Sequence, residues 1–488
     1  MNIIEPILFQ MKCQPEAPAL CAHGSDIVSY ARLATRMNIV ARRAMSIGLK
    51  PGDVVALSIT DQLLHSIVIL GLTQIGIIPI SVAMQRPPPG LKIAAVISNT
   101  NYPFAPQARH LPLDFTWVAG DGTPVEAVPG EKTRSDQTCR IILTSGTTGT
   151  AKAVALSHRL AMARNERFQF LLGNRHPACS RVYLNIGVAT SLGYYFLIYI
   201  LSRGGTLFLR GEDIEETLRS FGIFRMQALV GSVSNLTYLV DLCERDPSLA
   251  FHVDTIFCGG SVISRAMLER VRPRLCSHLF CRYSATETGT TATAPAEQIV
   301  HIPGAVGYVA PGVSVQIVDD SGRCRPAGQE GIVRIASEVA VDGYFDDPET
   351  SSEFFRDGWF YPGDIGSLTP DNLLIISGRS SSVLNVGGGK ISAEKIEVAL
   401  MSFKGVSEAA VFMVSSPRGA EEVWAAIVCS EKVDGERLRE HCRPRMPAVF
   451  VPARIVTLDA LPINATGKVD RPRLKQIVEA ATHSGIVT

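Results

Sequence analysis

The chain has 488 residues, of which 46% are hydrophobic and 19% charged, with a formal net charge of +1. That predicts a well-packed soluble protein of roughly three domains. It excludes a dominant nucleic-acid surface, which would be strongly basic, and no uncharged apolar run approaches the ~20 residues of a membrane helix.

The N-terminal run "MNIIEPILFQMKCQ" has no basic start and is broken by Glu5 and Pro6, so it reads as a poor signal peptide. From Ser29, apolar residues at Tyr30, Leu33, Ala34, Met37, Val40, Ala41 and Ala44 follow helical spacing, with Ser29 as N-cap and Gly48 near the end. "KPGD" turns the chain, "VVALSI" predicts a buried strand, a second helix spans 61–75 up to Gly76, and "IIPIS" predicts the next strand. The pattern recurs through "GTLFL", "ALVGS" and "TIFCGG", which predicts parallel, doubly wound sheets. "YLNIGVATSLGYYFLIYIL" is the most apolar stretch, and its polar and Gly residues mark it as buried core. From Val313 the texture changes to strands and turns, with "DDSG" as a tight turn between antiparallel strands. Beyond Arg379 a Ser/Gly-rich stretch leads into a unit of domain size. Eleven cysteines without a C-x-x-C pair predict free thiols in a reducing cytoplasm. Cys276 and Cys281 lack a His/Cys partner pair and are assigned to the core rather than to a metal.

One stretch stands apart. "ILTSGTTGTAK", from Ile142 to Lys152, follows a buried strand ("CRIIL") and precedes a second strand that leads into a helix ("AVALSHR"). Composition alone favours a flexible loop. Position between two strands favours an anion cradle, in which glycines bring backbone N–H groups close, hydroxyls add donors and a lysine adds charge. The spacing is neither G-x-x-x-x-G-K-[ST] nor the kinase G-x-G-x-x-G.

Four further stretches join it: "CRYSATETG", "WFYPGDIG", "ISGRSSSVLNVGGGKISAEKIE" and "LPINATGKVDR". Singly, an Asp after Pro-Gly is a turn residue and a Lys near the C-terminus is solvated. Together and in this order they resemble the acyl-adenylate-forming superfamily: acyl-CoA synthetases, adenylation domains of nonribosomal peptide synthetases, and firefly luciferase. The resemblance spans nearly the whole chain. It implies an α/β fold with a large N-terminal domain of doubly wound sheets plus a small β-barrel-like part, and a small mobile C-terminal α/β domain. The boundary falls between 1–378 and 379–488, with a hinge near 379–382.

The resemblance also implies roles. Thr144, Ser145, Gly146, Thr147, Thr148, Gly149 and Lys152 would hold the pyrophosphate end of ATP. Gly259 and Gly260 would line the adenine by backbone, and Tyr283 would stack on it, with Ser284 and Thr286 in the same nucleotide-binding motif. Glu287 and Thr144 would hold Mg²⁺, a hard ion that prefers oxygen ligands. Asp364 would accept from both ribose hydroxyls and Arg379 would add a ribose contact. Lys468 would be the catalytic lysine, with Glu287 and Thr144 beside it. Gly387, Gly388 and Gly389 would let a pantetheine arm pass once the small domain rotates.

The implied activity is that of an AMP-forming carboxylate–thiol ligase, with ATP, Mg²⁺ and CoA as cofactors and a small carboxylic acid as substrate. One alternative is an acyl-AMP ligase or stand-alone adenylation enzyme that loads a pantetheinylated carrier protein. Another, of a different class, is a non-catalytic ATP- or acyl-binding relative, against which intact Lys468, Glu287 and Asp364 argue. The expected setting is cytoplasmic, with no nucleic-acid partner and no membrane span.

Three positions depart from the family pattern: Ala151 stands where Pro is usual, Ser381 where the hinge carries an acid, and Thr190 where a His or aromatic precedes the acyl pocket. Members that take α-amino acids usually hold the ammonium with a pocket carboxylate. No Asp or Glu lies between Val182 and Arg210, which predicts an acid without a free α-amino group.

Overall fold

The computed structural model describes residues 2–22, 26–82, 86–88, 90–114, 116–119, 134–144, 151–172, 179–211, 213–260, 262–380, 383–386, 389–415, 421–463 and 469–483. Serine and aspartate start the first long helices as read from the sequence. Ser29 accepts from the Arg32 N–H at the head of Tyr30–Ser46, and Asp61 accepts from the Leu64 N–H at the head of Gln62–Gln74. Tyr30, Leu33, Met37, Val40, Ala41 and Ala44 form the buried stripe of the first helix.

Two sheets carry the large N-terminal domain. The smaller runs in the order Arg109–Pro112, Ala95–Ser98, Val54–Ser58, Ile78–Ser81, Thr138–Thr144, Lys152–Ser157. All its pairs are parallel except the last, the antiparallel hairpin around the Ser/Thr/Gly loop. The larger sheet pairs Pro18–Ala22, Thr206–Leu209, Arg181–Leu184, Ala228–Ser232, Val253–Gly259 and Cys276–Ala285 in parallel. It then turns antiparallel through Gly289–Pro295, Ala305–Val309, Leu373–Arg379, Asp364–Leu368 and Gly331–Ser337. This antiparallel end, with Val313–Val318, encloses its own small core of Val306, Val315, Ile317, Val333, Ile335 and Leu374. Here "DDSG" makes the expected turn, with Asp319 accepting from the Ser321 and Arg323 N–H groups.

Helices Gln62–Gln74 and Ser191–Ser202 are buried on almost every side, and their sequences are accordingly mostly apolar. They lie in one core that takes side chains from both sheets: Val55, Leu57 and Ile142 from the smaller, Leu20, Val182 and Leu207 from the larger. The most apolar stretch of the chain thus sits inside the protein. Among the described residues no helix is long and apolar enough to cross a membrane. Cys276 and Cys281 are buried, as expected of core residues.

The C-terminal domain is smaller. Val406–Ser415 pairs antiparallel with Glu421–Cys429, which pairs in parallel with Arg454–Thr457. Alternate residues of the first strand face opposite ways. Ala409 and Val411 pack with helices Ala393–Met401 and Gly435–Cys442, while Ala410, Phe412 and Val414 pack with Leu474 and Val478 of helix Arg471–His483. Lys395 reaches Glu330, on the approach to strand Gly331–Ser337, at 2.7 Å.

Candidate nucleotide site

The site is built where the larger sheet changes from parallel to antiparallel. Strand Cys276–Ala285 ends in a turn at 286–288 and returns as Gly289–Pro295. Its register shifts between Tyr283 and Ser284, so the strand bends as it presents the site residues. The Tyr283 hydroxyl donates to Asp364 Oδ2, and the Arg379 Nε lies 3.1 Å from Asp364 Oδ1. Asp364 is only 4% exposed, and Cα pairing of Asp364 with Arg379 across two strands fixes their meeting. Burial, then the Asp364 charge, pushes the Tyr283 phenol well above its ordinary range, so it is a donor at any working pH.

Glu287 lies in the adjoining turn and is buried. Its Oε1 accepts from the Tyr344 hydroxyl at 2.9 Å. Lys152 stands at the base of the Ser/Thr/Gly loop, its Cα paired with that of Thr144, and its ammonium lies 3.0 Å from the centroid of the Phe354 ring and 5.1 Å from that of Tyr344. Burial lowers the Lys152 pKa, opposed first by the charge of Glu287 and then by Glu353 and Asp347, while Arg379 adds to the lowering. The two clusters therefore share one electrostatic environment.

Gly259 ends the neighbouring strand. A Cβ there would stand a tight 3.3 Å from the Arg282 carbonyl of the next strand, while Leu192 Cδ2 of helix Ser191–Ser202, at 3.8 Å, would be an ordinary contact. Gly260 follows with φ +92°, a conformation suited to glycine. Ser284 and Thr286 fall on the bent strand and its turn. The structure thus brings together Thr144 with Lys152, Tyr283 with Asp364 and Arg379, and Glu287 beside Lys152. Ser145, Gly146, Thr147, Thr148, Gly149, Ser381, Gly387, Gly388 and Lys468 lie outside the described residues.

Sequence reading missed three contributors. Tyr344 holds the Glu287 carboxylate. Thr190, read only as a departure, caps helix Ser191–Ser202 by accepting from the Gly193 N–H. Arg164 is buried against the 286–288 turn. A signal for Arg164 was present: Ala161, Arg164, Asn165 and Phe168 form one buried helical stripe, and two of its four residues are polar.

Comparison with known proteins places this geometry. The AMP-binding enzyme family matches residues 9–345, and the AMP-binding enzyme C-terminal domain matches 395–468. The chain belongs to the AMP-binding enzyme family, the acyl-adenylate-forming superfamily. It is 28% identical over 505 aligned positions to the anguibactin system regulator of Vibrio anguillarum, covering 95% of this chain but only 46% of that relative's length. It is 25% identical to the 4-chlorobenzoate–CoA ligase of an Arthrobacter species, covering 96% and 93% of the two chains. The fold matches that of an AMP complex of O-succinylbenzoate coenzyme A synthetase from Bacillus subtilis, with a TM-score of 0.81 at 20% identity over 96% and 98% of the chains.

As an AMP-binding enzyme, the protein has a site whose donors suit Mg²⁺ carried by a nucleotide. Among the described residues no group of three or more His, Cys, Asp or Glu could hold a metal by itself. One buried carboxylate, Glu287, with one oxygen already satisfied by Tyr344, fits an ion that takes one or two carboxylates and completes its shell with phosphate oxygens and water.

Proposed function

We propose that the protein is an AMP-forming carboxylate–thiol ligase that activates a carboxylic acid with ATP and passes the acyl group to CoA. The observation that carries this reading is the convergence of Tyr283, Asp364 and Arg379 beside Glu287 and Lys152. A carboxylate cannot be displaced directly, because oxide is too poor a leaving group. Its oxygen instead attacks the α-phosphorus of ATP, pyrophosphate leaves, and an acyl-AMP forms. A thiol then attacks the acyl carbon and AMP departs.

In the first step two anions meet, so the burden is electrostatic. Asp364 would take the ribose hydroxyls, with its position held by Tyr283 and Arg379. Lys152 and the Ser/Thr/Gly loop would hold the pyrophosphate end, Thr144 standing at the loop's origin, and Lys468 would bridge the incoming carboxylate and the α-phosphate. Mg²⁺, when bound through Glu287 and the phosphates, supplies further neutralising charge. Gly387 and Gly388 would face the thiol in the second step, after the unit beginning at 379 has rotated. Transfer to a pantetheinylated carrier protein is the second reading for that step, and the chemistry at the acyl carbon is the same.

Helix Ser191–Ser202, which closes against Gly259 through Leu192, carries no acid and has a buried apolar interior. An α-ammonium left unpaired there would cost several kcal/mol, about the penalty of an uncompensated buried ion. The substrate is therefore expected to lack a free α-amino group. ATP–pyrophosphate exchange with a panel of fatty, aryl and α-amino acids tests both points, followed by thioester formation with CoA against a pantetheinylated protein. Exchange with α-amino acids alone overturns the substrate class, and no exchange with any acid overturns the ligase reading.

A further inference from the structure

Arg164 lies on helix His158–Leu172, far in sequence from the site, with 7% of its surface exposed. Its guanidinium makes four hydrogen bonds, all to main-chain carbonyls. Nη1 donates to Thr286 O at 2.9 Å, Nη2 to Glu287 O at 2.9 Å, and Nε and Nη2 to Val339 O at 3.0 and 2.9 Å. The Glu287 carbonyl also accepts from the Val341 N–H at 2.9 Å. The helix side of this clamp is fixed in turn, since the Tyr195 hydroxyl donates to the Arg164 carbonyl at 3.0 Å.

This arrangement answers a problem set by the turn. Residues 286–288 reverse the chain in a buried place; the Thr286 carbonyl takes its donor from Arg164, and the Glu287 carbonyl, already held by the Val341 N–H, takes Arg164 as a second. A planar fork of N–H groups reaches both at once and ties them to the segment after strand Gly331–Ser337. That segment continues to Tyr344, whose hydroxyl holds the Glu287 carboxylate. Arg164 thus fixes the backbone of Glu287 directly, and it anchors the segment that leads to the residue holding the Glu287 side chain.

We propose that Arg164 is a positioning residue for the nucleotide-bound Mg²⁺: by clamping the carbonyls of Thr286, Glu287 and Val339 it sets the direction in which the Glu287 carboxylate points. This rests on the ligase reading above, in which Glu287 serves Mg²⁺·ATP. Lysine keeps the charge but offers its donors from one point, so it cannot span three carbonyls. Glutamine keeps one amide donor pair and loses the charge.

The test uses the full chain as parent, Arg164→Lys and Arg164→Gln. Two quantities are read: the Mg²⁺ concentration for half-maximal pyrophosphate exchange, and the affinity for ATP by titration calorimetry with and without Mg²⁺. Loss of an outer contact to a metal ligand typically costs about 10- to 100-fold in metal affinity or activity. The expected result is a rise of that size in the half-activating Mg²⁺ concentration, with metal-free ATP affinity close to the parent's and cooperative melting retained in at least the lysine variant. A merely structural role would lower the folded fraction and leave the Mg²⁺ dependence of the folded enzyme unchanged. The proposal is overturned if the folded variants match the parent in Mg²⁺ dependence, or if neither variant melts cooperatively, since Arg164 then determines the fold and not the aim of Glu287. A parent that shows neither Mg²⁺-dependent ATP binding nor exchange removes the ligase reading itself. A parent that shows both, with variants that match it, removes the positioning role alone.

Discussion

Asp364 shows what the site asks of a single residue. A carboxylate buried to 4% exposure would be costly alone, and here a phenol and a guanidinium each take one oxygen. A carboxylate has more lone pairs than these two contacts use, which is what a pair of ribose hydroxyls would require. Lys468 has the opposite task in the proposed mechanism, since it would serve one step only. Lys468→Ala is expected to lower acyl-AMP formation from ATP and acid by about 10² to 10³, the usual loss for a preorganised donor. Given pre-made acyl-AMP and CoA, the same variant should form thioester at close to the parent rate. Measuring the two half-reactions separately checks this, and equal loss in both would reject the assignment. Tyr283, Glu287, Asp364 and Arg379 were legible because each sits in a short local motif. Tyr344 was not, because its value lies in a partner 57 residues away, and local sequence does not encode such distances. Arg164 showed only as a polar residue within a buried helical stripe, with its partner in the turn 122 residues away and unmarked.

Helix Ser191–Ser202 shows how an element can depend on one missing side chain. Thr190 turns back on the Gly187 carbonyl at 2.8 Å while accepting from the Gly193 N–H at 3.0 Å. A Cβ on Gly193 would fall 2.1 Å from the Gly187 carbonyl oxygen, inside any allowed contact. Helix propensity alone favours Gly193→Ala by about 1 kcal/mol. The clash reverses the sign, and overpacking of this kind costs about 1–3 kcal/mol. Gly193→Ala is therefore expected to lower the denaturant midpoint, and an unchanged or raised midpoint would show that the capping turn can relax freely. The sequence disclosed this helix as buried core through its composition. It did not disclose the crowding, which comes from a turn folding back over the helix start. The Ser29 cap was legible for the converse reason, since it acts within three residues of itself.

For the molecule as a whole, acid sensitivity follows from two buried histidines, His158 against the N-terminal segment and His65 against strand Ile78–Ser81. His158 Nδ1 accepts from the Ile3 N–H at 3.0 Å, and His65 Nε2 lies 2.7 Å from Ser81 Oγ. Burial pushes His158 down to about 4; burial, then the Arg140 charge, pushes His65 down to about 3. Both are neutral in the fold, whereas in the unfolded chain they take up protons below about pH 6.5. Stability from this source is complete above pH 6.5 and is lost as pH falls toward 4 and then 3, by up to about 1.4 kcal/mol per pH unit for each proton. Denaturant midpoints should decline from pH 7 to pH 5, and His158→Gln should flatten part of that decline. A profile with no slope over this interval would contradict the assignment.

The pairing of Arg379 with Asp364 has a consequence for control of the whole cycle. Arg379 is the last residue of the strand Leu373–Arg379, and the proposed small unit begins at the same position. A ribose that engages Asp364 would share it with a residue that is also the first link of the unit proposed to rotate. Occupancy and orientation then become linked equilibria, and such linkage is reciprocal. Whatever factor the nucleotide exerts on the orientation of the small unit, that orientation exerts on the nucleotide's affinity, so the pivot itself would register when AMP is free to leave.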